Sequence, residues 1–378
     1  MRQSTGFLRW WKDKESLRNI DAAISSYLSM RYLTSLNSVC LMVASAFGPV
    51  VASNAMPQDA NPPSLEENAG LAKAKELLEQ SKVDEAEAMA RKFIAQHPRQ
   101  SDGYFLLGLT LFRRVQAMAR SAGTFVAPGE VPSTALDPQK RGAIIRESLE
   151  AFTEGAKYGK PSADDLKTVS FDFILIGDFA SADKWLTVAL DWNPTDADTW
   201  YYLGRAKYNE NRFEEAVQAF QRCLALRPRD SLAADGVGLS YEGLNRMADA
   251  ITWLQTAISW QEASQQKTAE PYVDLGDLFT QQARFDDALP VLQNAIAIDP
   301  RNIRAHEKLG KVYLNLDRLA EAQSEFEKTI SLDPEQPAPH YLMAQTYRKQ
   351  GQLDKARLEM NRFQLLKAKE SPAKSGMQ

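Results

Sequence analysis

Apolar side chains recur at helical spacing on both sides of a short polar break in residues 197–230. The positions that carry this pattern are Trp200, Leu203, Gly204, Tyr208, Ala216, Phe220 and Pro228. Intervals of three and four residues place side chains on one face of an α-helix. The pattern therefore predicts two amphipathic helices with a turn near residues 209–212. The second helix must end near Pro228, because proline cannot continue it.

The same pattern returns downstream at an interval of about 34 residues. Four further copies follow, and the first of them carries about four extra residues after Trp260. The copies are residues 231–268, 269–302, 303–336 and 337–370. A single hairpin of this kind cannot bury its apolar face alone, so we expect the copies to stack on one another.

Upstream the pattern is weaker but stays in frame. It predicts three more hairpins, in residues 67–100, 101–161 and 163–196. The middle one contains an insertion, residues 121–137, of a length that is often functional or disordered. The insertion either folds back over neighbouring repeats as an apolar plug or extends from the surface as a loop.

These residues resemble the tetratricopeptide repeat, whose consensus has a bulky residue, Leu-Gly, Tyr, Ala, Phe and Pro in this order. Residues 67–370 carry the resemblance, with one departure in residues 197–230, where Lys207 stands in the tyrosine slot and Tyr208 follows it. The resemblance implies an all-α fold, a right-handed α-solenoid of about eight helical hairpins. It also implies a concave groove, lined by the first helix of each hairpin, that binds a protein or peptide.

The resemblance also assigns slots on the first helices that face the groove. From them we predict these ligand-binding residues: Tyr201, Arg205, Tyr208, Asn209, Asp277, Arg304, Lys311, Asn315, Tyr341 and Arg348. Further slots of this kind hold Asp235, Glu242, Gln281, Gln345 and Lys349. In chain order the groove is expected to change from mixed aromatic, through acidic, to basic. The paired Lys and Asn with which some relatives clamp a C-terminal carboxylate are missing.

Residues 30–55 have the composition of a secretory signal. Their most apolar part, residues 39–52, is about fourteen residues long, within the range of a signal core and short of the roughly twenty that span a membrane. We therefore predict that residues 1–55 are a signal peptide with an N-terminal extension, and that the protein is exported to a periplasm or secreted. Translation from Met30 would remove the extension. An uncleaved leader would instead give a single-pass membrane anchor.

The segments that flank the repeats differ from them in composition. Residues 56–66 are predicted to be a flexible spacer, and residues 371–378 a disordered tail. No capping helix is predicted after residue 370, so the last helix must shield its own outer face. Joint exposure of Leu358, Leu365 and Leu366 there would indicate self-association or a partner.

Charge argues against a nucleic-acid partner. The net charge is −4, and residues 1–55 hold six basic and three acidic side chains, which leaves −7 for the rest of the chain. No basic stripe is available to neutralise a phosphate backbone. We expect a protein or peptide partner, no nucleic acid, and membrane contact only through an uncleaved leader.

The sequence offers little for catalysis or metal binding. His306 and His340 occupy one slot of consecutive repeats, about 10 Å apart, so we predict that they pack and do not share an ion. The chain has no phosphate-binding loop, zinc-binding helix or nucleophile elbow. Cys223 takes a slot that other repeats fill with alanine, so we predict a buried thiol. We expect no enzymatic activity and no cofactor.

Taken together, the sequence predicts an exported, non-catalytic scaffold that binds a protein or peptide segment in its groove. The alternative is an accessory or assembly factor that is anchored in the membrane by its leader and recruits an envelope complex. A mature N-terminus at Ser53 or Met56 would support export, whereas an intact leader would support anchoring.

Overall fold

A computed structural model describes residues 65–121, 138–262 and 267–370, and within these ranges the chain forms sixteen α-helices and no strand. Contacts between residues group the helices into two compact units, one ending at Pro194 and the other beginning at Thr195. The predicted all-α fold of helical hairpins is confirmed. That the hairpins form one solenoid across this boundary remains a prediction.

The described part of the N-terminal unit contains three helical hairpins. Their helices are α1 (Leu65–Glu79) and α2 (Val83–Gln96), α3 (Ser101–Ser121) and α4 (Pro138–Ala156), and α5 (Ala163–Leu175) and α6 (Phe179–Trp192). The two helices of each hairpin pack together, and α2 and α4 also pack against the first helix of the next hairpin. Phe152, Phe173 and Trp185 are almost completely buried between the helices.

The C-terminal unit contains five hairpins built in the same way. Their helices are α7 (Ala197–Asn209) and α8 (Phe213–Leu226), α9 (Ser231–Gly243) and α10 (Met247–Glu262), α11 (Glu270–Gln281) and α12 (Phe285–Ile298), α13 (Ile303–Asn315) and α14 (Leu319–Leu332), and α15 (Pro337–Lys349) and α16 (Leu353–Glu370). The second helix of each of the first four hairpins packs against the first helix of the next one. Cys223 is completely buried in an apolar cluster with Phe220 and Val237, as predicted. Burial raises the pKa of its thiol to about 11.

Glycine in this repeat marks places where helices approach too closely for a side chain. A Cβ atom at Gly204 would lie 2.8 Å from the ring of Phe220, and a Cβ atom at Gly236 would lie 2.5 Å from the same ring. Phe220 of α8 therefore packs against glycines of both α7 and α9. These glycines meet a packing requirement and give no information about a ligand.

The hairpin turns share one backbone conformation. In seven of them a single residue has a left-handed φ between 56° and 79°, namely Ser81, Gly177, Asn211, Asn245, Ala283, Asp317 and Gly351. The N–H of the following residue donates to a carbonyl oxygen five residues earlier, as Arg212 does to Lys207 at 2.9 Å. This hydrogen bond is the helix C-cap known as the Schellman motif, and it ends each of these first helices in the same way.

An arginine follows several of these turns and stabilises them. Arg246, Arg284 and Arg318 lie 4.3–4.6 Å from the aromatic ring at the end of their first helix. In residues 197–230 this ring is replaced by Lys207, whose Nζ donates to Glu215 at 3.1 Å. Hydrogen bonds from Arg212 and Lys207 lower the pKa of Glu215 to about 2. The departure from the repeat consensus thus exchanges a cation–π contact for an ion pair.

Several predicted segments lie outside the described residues. They are the leader 1–55, nearly all of the spacer 56–66, the insertion after Ser121 and the tail 371–378. Helix α1 begins at Leu65, two residues inside the predicted spacer. No helix in the described ranges combines the length and the apolar character needed to cross a bilayer.

Candidate functional site

The first helices of the C-terminal unit lie side by side. Helix α7 contacts α9, α9 contacts α11, α11 contacts α13, and α13 contacts α15. We call the surface formed by these five helices the first-helix surface. The predicted ligand-binding residues all lie on these helices, so any binding chemistry of this unit is sought here.

Two ion pairs join α11 to α13 across this surface. Arg304 Nη2 donates to Asp274 Oδ1 at 2.6 Å, and Lys308 Nζ donates to Asp277 Oδ2 at 2.6 Å. The Asp274 carboxylate raises the pKa of the Arg304 guanidinium, and Asp235 and Asp277 add to this effect. The side chain of Asp274 is 5% exposed and that of Arg304 is 57% exposed. A buried acid therefore fixes the position of an exposed cation.

Helix α9 contributes two more carboxyl groups. Asp235 forms a hydrogen bond with Asp274, and Glu242 Oε1 accepts one from Gln281 Nε2 at 2.9 Å. Burial raises the pKa values of Asp235 and Glu242, and neighbouring carboxylates raise them further. We call Asp235, Glu242, Asp274 and Asp277 the acidic cluster.

Asp235 and Asp274 make it harder for each other to ionise. Both residues are buried, and two carboxylates in contact cannot both ionise without a large repulsion. Asp274 contacts Arg304, which stabilises its charged form, whereas no ion pair reaches Asp235 among the described residues. The pKa of Asp235 is therefore raised more strongly than that of Asp274. Its Oδ1 atom is buried and has no hydrogen-bond partner in the described part of the chain.

The structure brings part of the predicted set of binding residues together. Asp277 and Arg304 form the ion pairs described above. Tyr208 lies on α7, which contacts α9, and burial and then the charges of Glu242, Asp274 and Asp235 raise the pKa of its phenol. The further predicted slots that join this network are Asp235, Glu242 and Gln281.

The other predicted residues of α7 contact their own hairpin. The ring of Tyr201 lies 5.8 Å from that of Phe220, and the guanidinium of Arg205 lies 5.9 Å from the ring of Tyr201. Asn209 Nδ2 donates to the carbonyl oxygen of Arg205 at 2.8 Å. These contacts place the three residues in the packing of the hairpin and leave their role in binding a prediction.

The basic character expected near the C-terminus is largely offset by acids. Lys311 forms an ion pair with Glu307 on the same helix, and Asn315 Nδ2 donates to the Lys311 carbonyl oxygen at 2.8 Å. Tyr341 and Arg348 are exposed on α15, which contributes no residue to the acidic cluster.

Sequence reasoning missed two members of this network, Asp274 and Lys308. They occupy the same slot of consecutive repeats, and Asp274 stands between the buried residues Val273 and Leu275. Asp274 is a charged residue inside an apolar helical run, and the equivalent residue one repeat later, Lys308, has the opposite charge. This pairing of opposite charges in one slot was the signal that could have identified them.

The two histidines occupy packing positions in separate hairpins. His306 Nδ1 lies 2.6 Å from Glu325 Oε2, and its Nε2 lies 3.0 Å from the carbonyl oxygen of Pro300. His340 and Glu359 repeat this contact at 2.7 Å in the next hairpin. In the described ranges no group of three or more His, Cys, Asp or Glu side chains is arranged so that it could hold a metal ion.

The three leucines singled out in the last helix are not exposed together. Leu366 is 1% exposed, whereas Leu358 and Leu365 are 69% and 61% exposed. Arg357 and Gln364 are exposed on α16 at the positions where α8 has Val217 and Leu224, which pack towards α9. Polar side chains thus cover the face with which the other second helices meet a following hairpin.

Family models match four parts of the chain. Those described as tetratricopeptide repeat match residues 71–126, 197–230 and 318–377, and one described as TPR repeat matches residues 276–317. Together they cover just over half of the chain. The matches fall in both units of the fold.

Curated relatives match short segments only. A segment of 74 residues is 36% identical to the peroxisomal targeting signal receptor of Kluyveromyces lactis, over 20% of this chain and 13% of that protein. Another of 95 residues is 26% identical to "essential for maintenance of the cell wall protein 1" of Saccharomyces cerevisiae, over 25% of this chain and 10% of that protein. The chain therefore matches about an eighth or less of the length of these relatives.

Among solved structures, the APC/C hetero-tetramer Cut9–Hcn1 shares the fold, with a TM-score of 0.50 and 15% identity over 82% of this chain and 55% of that one.

Proposed function

The chain belongs to the tetratricopeptide repeat family, and we propose that its C-terminal unit binds a segment of a partner protein on the first-helix surface. The observation that carries this proposal is the acidic cluster. Buried carboxyl groups are costly, and here they hold an exposed guanidinium, that of Arg304, in a fixed position. Fixed polar groups on rigid helices are suited to recognition, because little entropy is lost when a ligand binds them.

The repeat fold typically serves as a non-catalytic scaffold, and we propose the same role for this chain. Two features of the site support this role. Burial raises the pKa of Asp235 well above its ordinary value, and the guanidinium of Arg304 already pairs with the neighbouring Asp274. The exposed residues around the pair are suited to hydrogen bonding and ion pairing with a partner, rather than to activating a nucleophile.

We further propose that the protein is exported after cleavage of its leader and meets its partner outside the cytoplasm. The signal-like composition of residues 30–55 supports this proposal. N-terminal sequencing of the protein purified from its own cells tests it, with a start at Ser53 or Met56 as the expected result. An intact leader in a membrane fraction would favour the anchored assembly factor instead.

Site-specific photocrosslinking in cells tests the binding proposal. A photoreactive amino acid replaces Gln281, which is exposed on α11, or, as a matched control, Gln218, which is exposed on α8. We expect a defined adduct with a partner protein from position 281 and none from position 218. Equal adducts from both positions, or adducts from position 218 alone, would contradict binding on the first-helix surface.

A further inference from the structure

The last two hairpins of the C-terminal unit contain a pair of side chains that its first three hairpins lack. A histidine on the first helix meets a glutamate on the second, at equivalent slots in both hairpins, as His306 with Glu325 and His340 with Glu359. In the first three hairpins these slots hold Trp200 and Ala219, Ala234 and Trp253, and Tyr272 and Val291. Histidine and glutamate are thus present together or absent together, which indicates that they act as a pair.

The buried ring of His306 has an acceptor at one nitrogen that can never donate. Its Nε2 atom lies 3.0 Å from the carbonyl oxygen of Pro300. A carbonyl oxygen only accepts, so Nε2 carries a hydrogen. Tyr104 has the same slot in the N-terminal unit, and its hydroxyl donates to the carbonyl oxygen of Pro98 at 3.0 Å. Donation to this turn is therefore a recurring task of the slot.

The other ring nitrogen faces a carboxylate. Glu325 Oε2 lies 2.6 Å from His306 Nδ1, and Glu325 Oε1 accepts from Lys328 Nζ at 2.8 Å. Burial opposes ionisation of this carboxyl group, yet hydrogen bonds from His306 and Lys328 lower the pKa of Glu325. An ionised carboxylate only accepts, so Nδ1 carries a hydrogen as well. Both contacts are satisfied together only when the ring is doubly protonated.

The helices packed against α13 bring no second carboxylate to this ring. Glu325 of α14 is the ion-pair partner of His306, and the acids of α11 pair instead with Arg304 and Lys308. Neither α12 nor α15 contributes an ion pair to His306 in the described part of the chain. The protonation of this ring is therefore coupled to one carboxylate, that of Glu325.

His340 repeats the arrangement one hairpin later. Its Nδ1 atom lies 2.7 Å from Glu359 Oε2 of α16, and its Nε2 atom lies 3.5 Å from the carbonyl oxygen of Pro334. Glu335, in the turn before α15, is the other acid nearby, and it already pairs with two cations of α16. Within the described ranges, α13 and α14 add no ion pair to His340. The contacts are longer here, so His306 forms the firmer of the two pairs.

We propose that the two histidine–glutamate pairs form a pH-sensitive latch between the helices of the last two hairpins. The latch is closed while each imidazole is doubly protonated. Loss of one proton leaves a lone pair of the ring against a carboxylate oxygen, so these hairpins become less stable as the pH rises through about 5–8, where imidazoles titrate. Helix α13 also carries Arg304 and Lys308, so the latch sets how firmly these cations are held. It does not depend on what the first-helix surface binds.

Nitrogen NMR of the full chain, labelled in its three histidines, tests the protonation of the ring. In Glu325→Gln the amide can donate to Nδ1, so a neutral ring with its hydrogen on Nε2 satisfies both contacts. We expect His306 in this variant to lose its second hydrogen at a pH lower by at least about one unit than in the wild type. Titration at the same pH in both proteins would overturn the proposal. Glu359→Gln tests His340 in the same way.

Hydrogen exchange tests whether this proton stabilises the hairpin. Between about pH 5 and pH 8, and after correction for the intrinsic effect of pH, we expect protection of the α13 and α14 amides to fall by about tenfold in the wild type. Glu325→Gln should lose most of this fall. The matched control, Glu327→Gln, removes a charge from an exposed position of the same helix and should keep it. An equal fall in Glu325→Gln and the wild type would show that the pair is not a latch.

Discussion

Burial disfavours the ionisation of Asp172 in the core of the N-terminal unit. Ser148 Oγ lies 2.6 Å from Asp172 Oδ2 and 2.9 Å from the carbonyl oxygen of Gly108, and it has one hydrogen to donate. A protonated Asp172 donates to Ser148, which then donates to Gly108, so both hydrogen bonds form. Burial accordingly raises the pKa of Asp172 well above its ordinary value.

We expect Asp172→Asn to increase the stability of the N-terminal unit at pH 7 by about 1 kcal/mol, because the amide is neutral without taking up a proton. The folded wild type binds this proton more tightly than the unfolded chain. Its stability therefore rises as the pH falls through the folded pKa towards the ordinary value near 3.9. The variant loses this rise. Hydrogen exchange of the α5 amides at several pH values measures both effects, and an unchanged pH dependence would contradict the protonated state.

Backbone conformation alone is tested by a pair of substitutions in the hairpin turns. Ala283 has a φ of 56°, so Ala283→Gly should raise the free energy of unfolding by up to about 1 kcal/mol. Gly351 has a φ of 76°, and a Cβ atom there would meet nothing within 4 Å, so Gly351→Ala should lower it by a similar amount. Urea unfolding measures both variants. Changes of the same sign would show that the left-handed residue does not determine turn stability.

At the scale of helices, the repeat pattern predicts the features that depend on local sequence, namely the turns and the helix ends. The turn expected near residues 209–212 lies between Asn209 and Phe213, where α7 ends and α8 begins. The Leu-Gly pairs and the terminal prolines act within one hairpin and its neighbour, so their positions can be read directly. The bond between Asp274 and Arg304 joins residues of different hairpins, and it forms only at the relative rotation of α11 and α13 that packing sets. Sequence spacing alone does not determine this rotation.

A matched pair of glycines separates close packing from helix propensity. A Cβ atom at Gly108 of α3 would lie 2.5 Å from the ring of Phe152, whereas one at Gly70 of α1 would meet nothing within 4 Å. Gly108→Ala should therefore destabilise the N-terminal unit by about 1–3 kcal/mol despite its better helix propensity. Gly70→Ala should stabilise it by about 0.5–1 kcal/mol. Thermal unfolding compares the two variants, and stabilisation by both would mean that Phe152 can move aside freely.

At the scale of the whole molecule, the two units have different characters. In the N-terminal unit one oxygen of the buried Asp172 carboxyl group bonds to Ser148 inside the core, and its Oδ1 atom has no hydrogen-bond partner among the described residues. In the C-terminal unit the buried pair of Asp235 and Asp274 supports an exposed guanidinium on a surface shared by several helices. The sequence was sufficient to predict the fold and the helices that carry this surface. The identity of the partner depends on charges that only the packing of hairpins brings together.

Hydrogen exchange of the full chain, with and without the partner protein identified by photocrosslinking, tests the central claim most directly. We predict slower exchange on binding in α9, α11 and α13, which carry the acidic cluster and its cations. Exchange in α8, α10 and α12 should change little. Protection confined to those second helices, or to the N-terminal unit, would contradict binding on the first-helix surface.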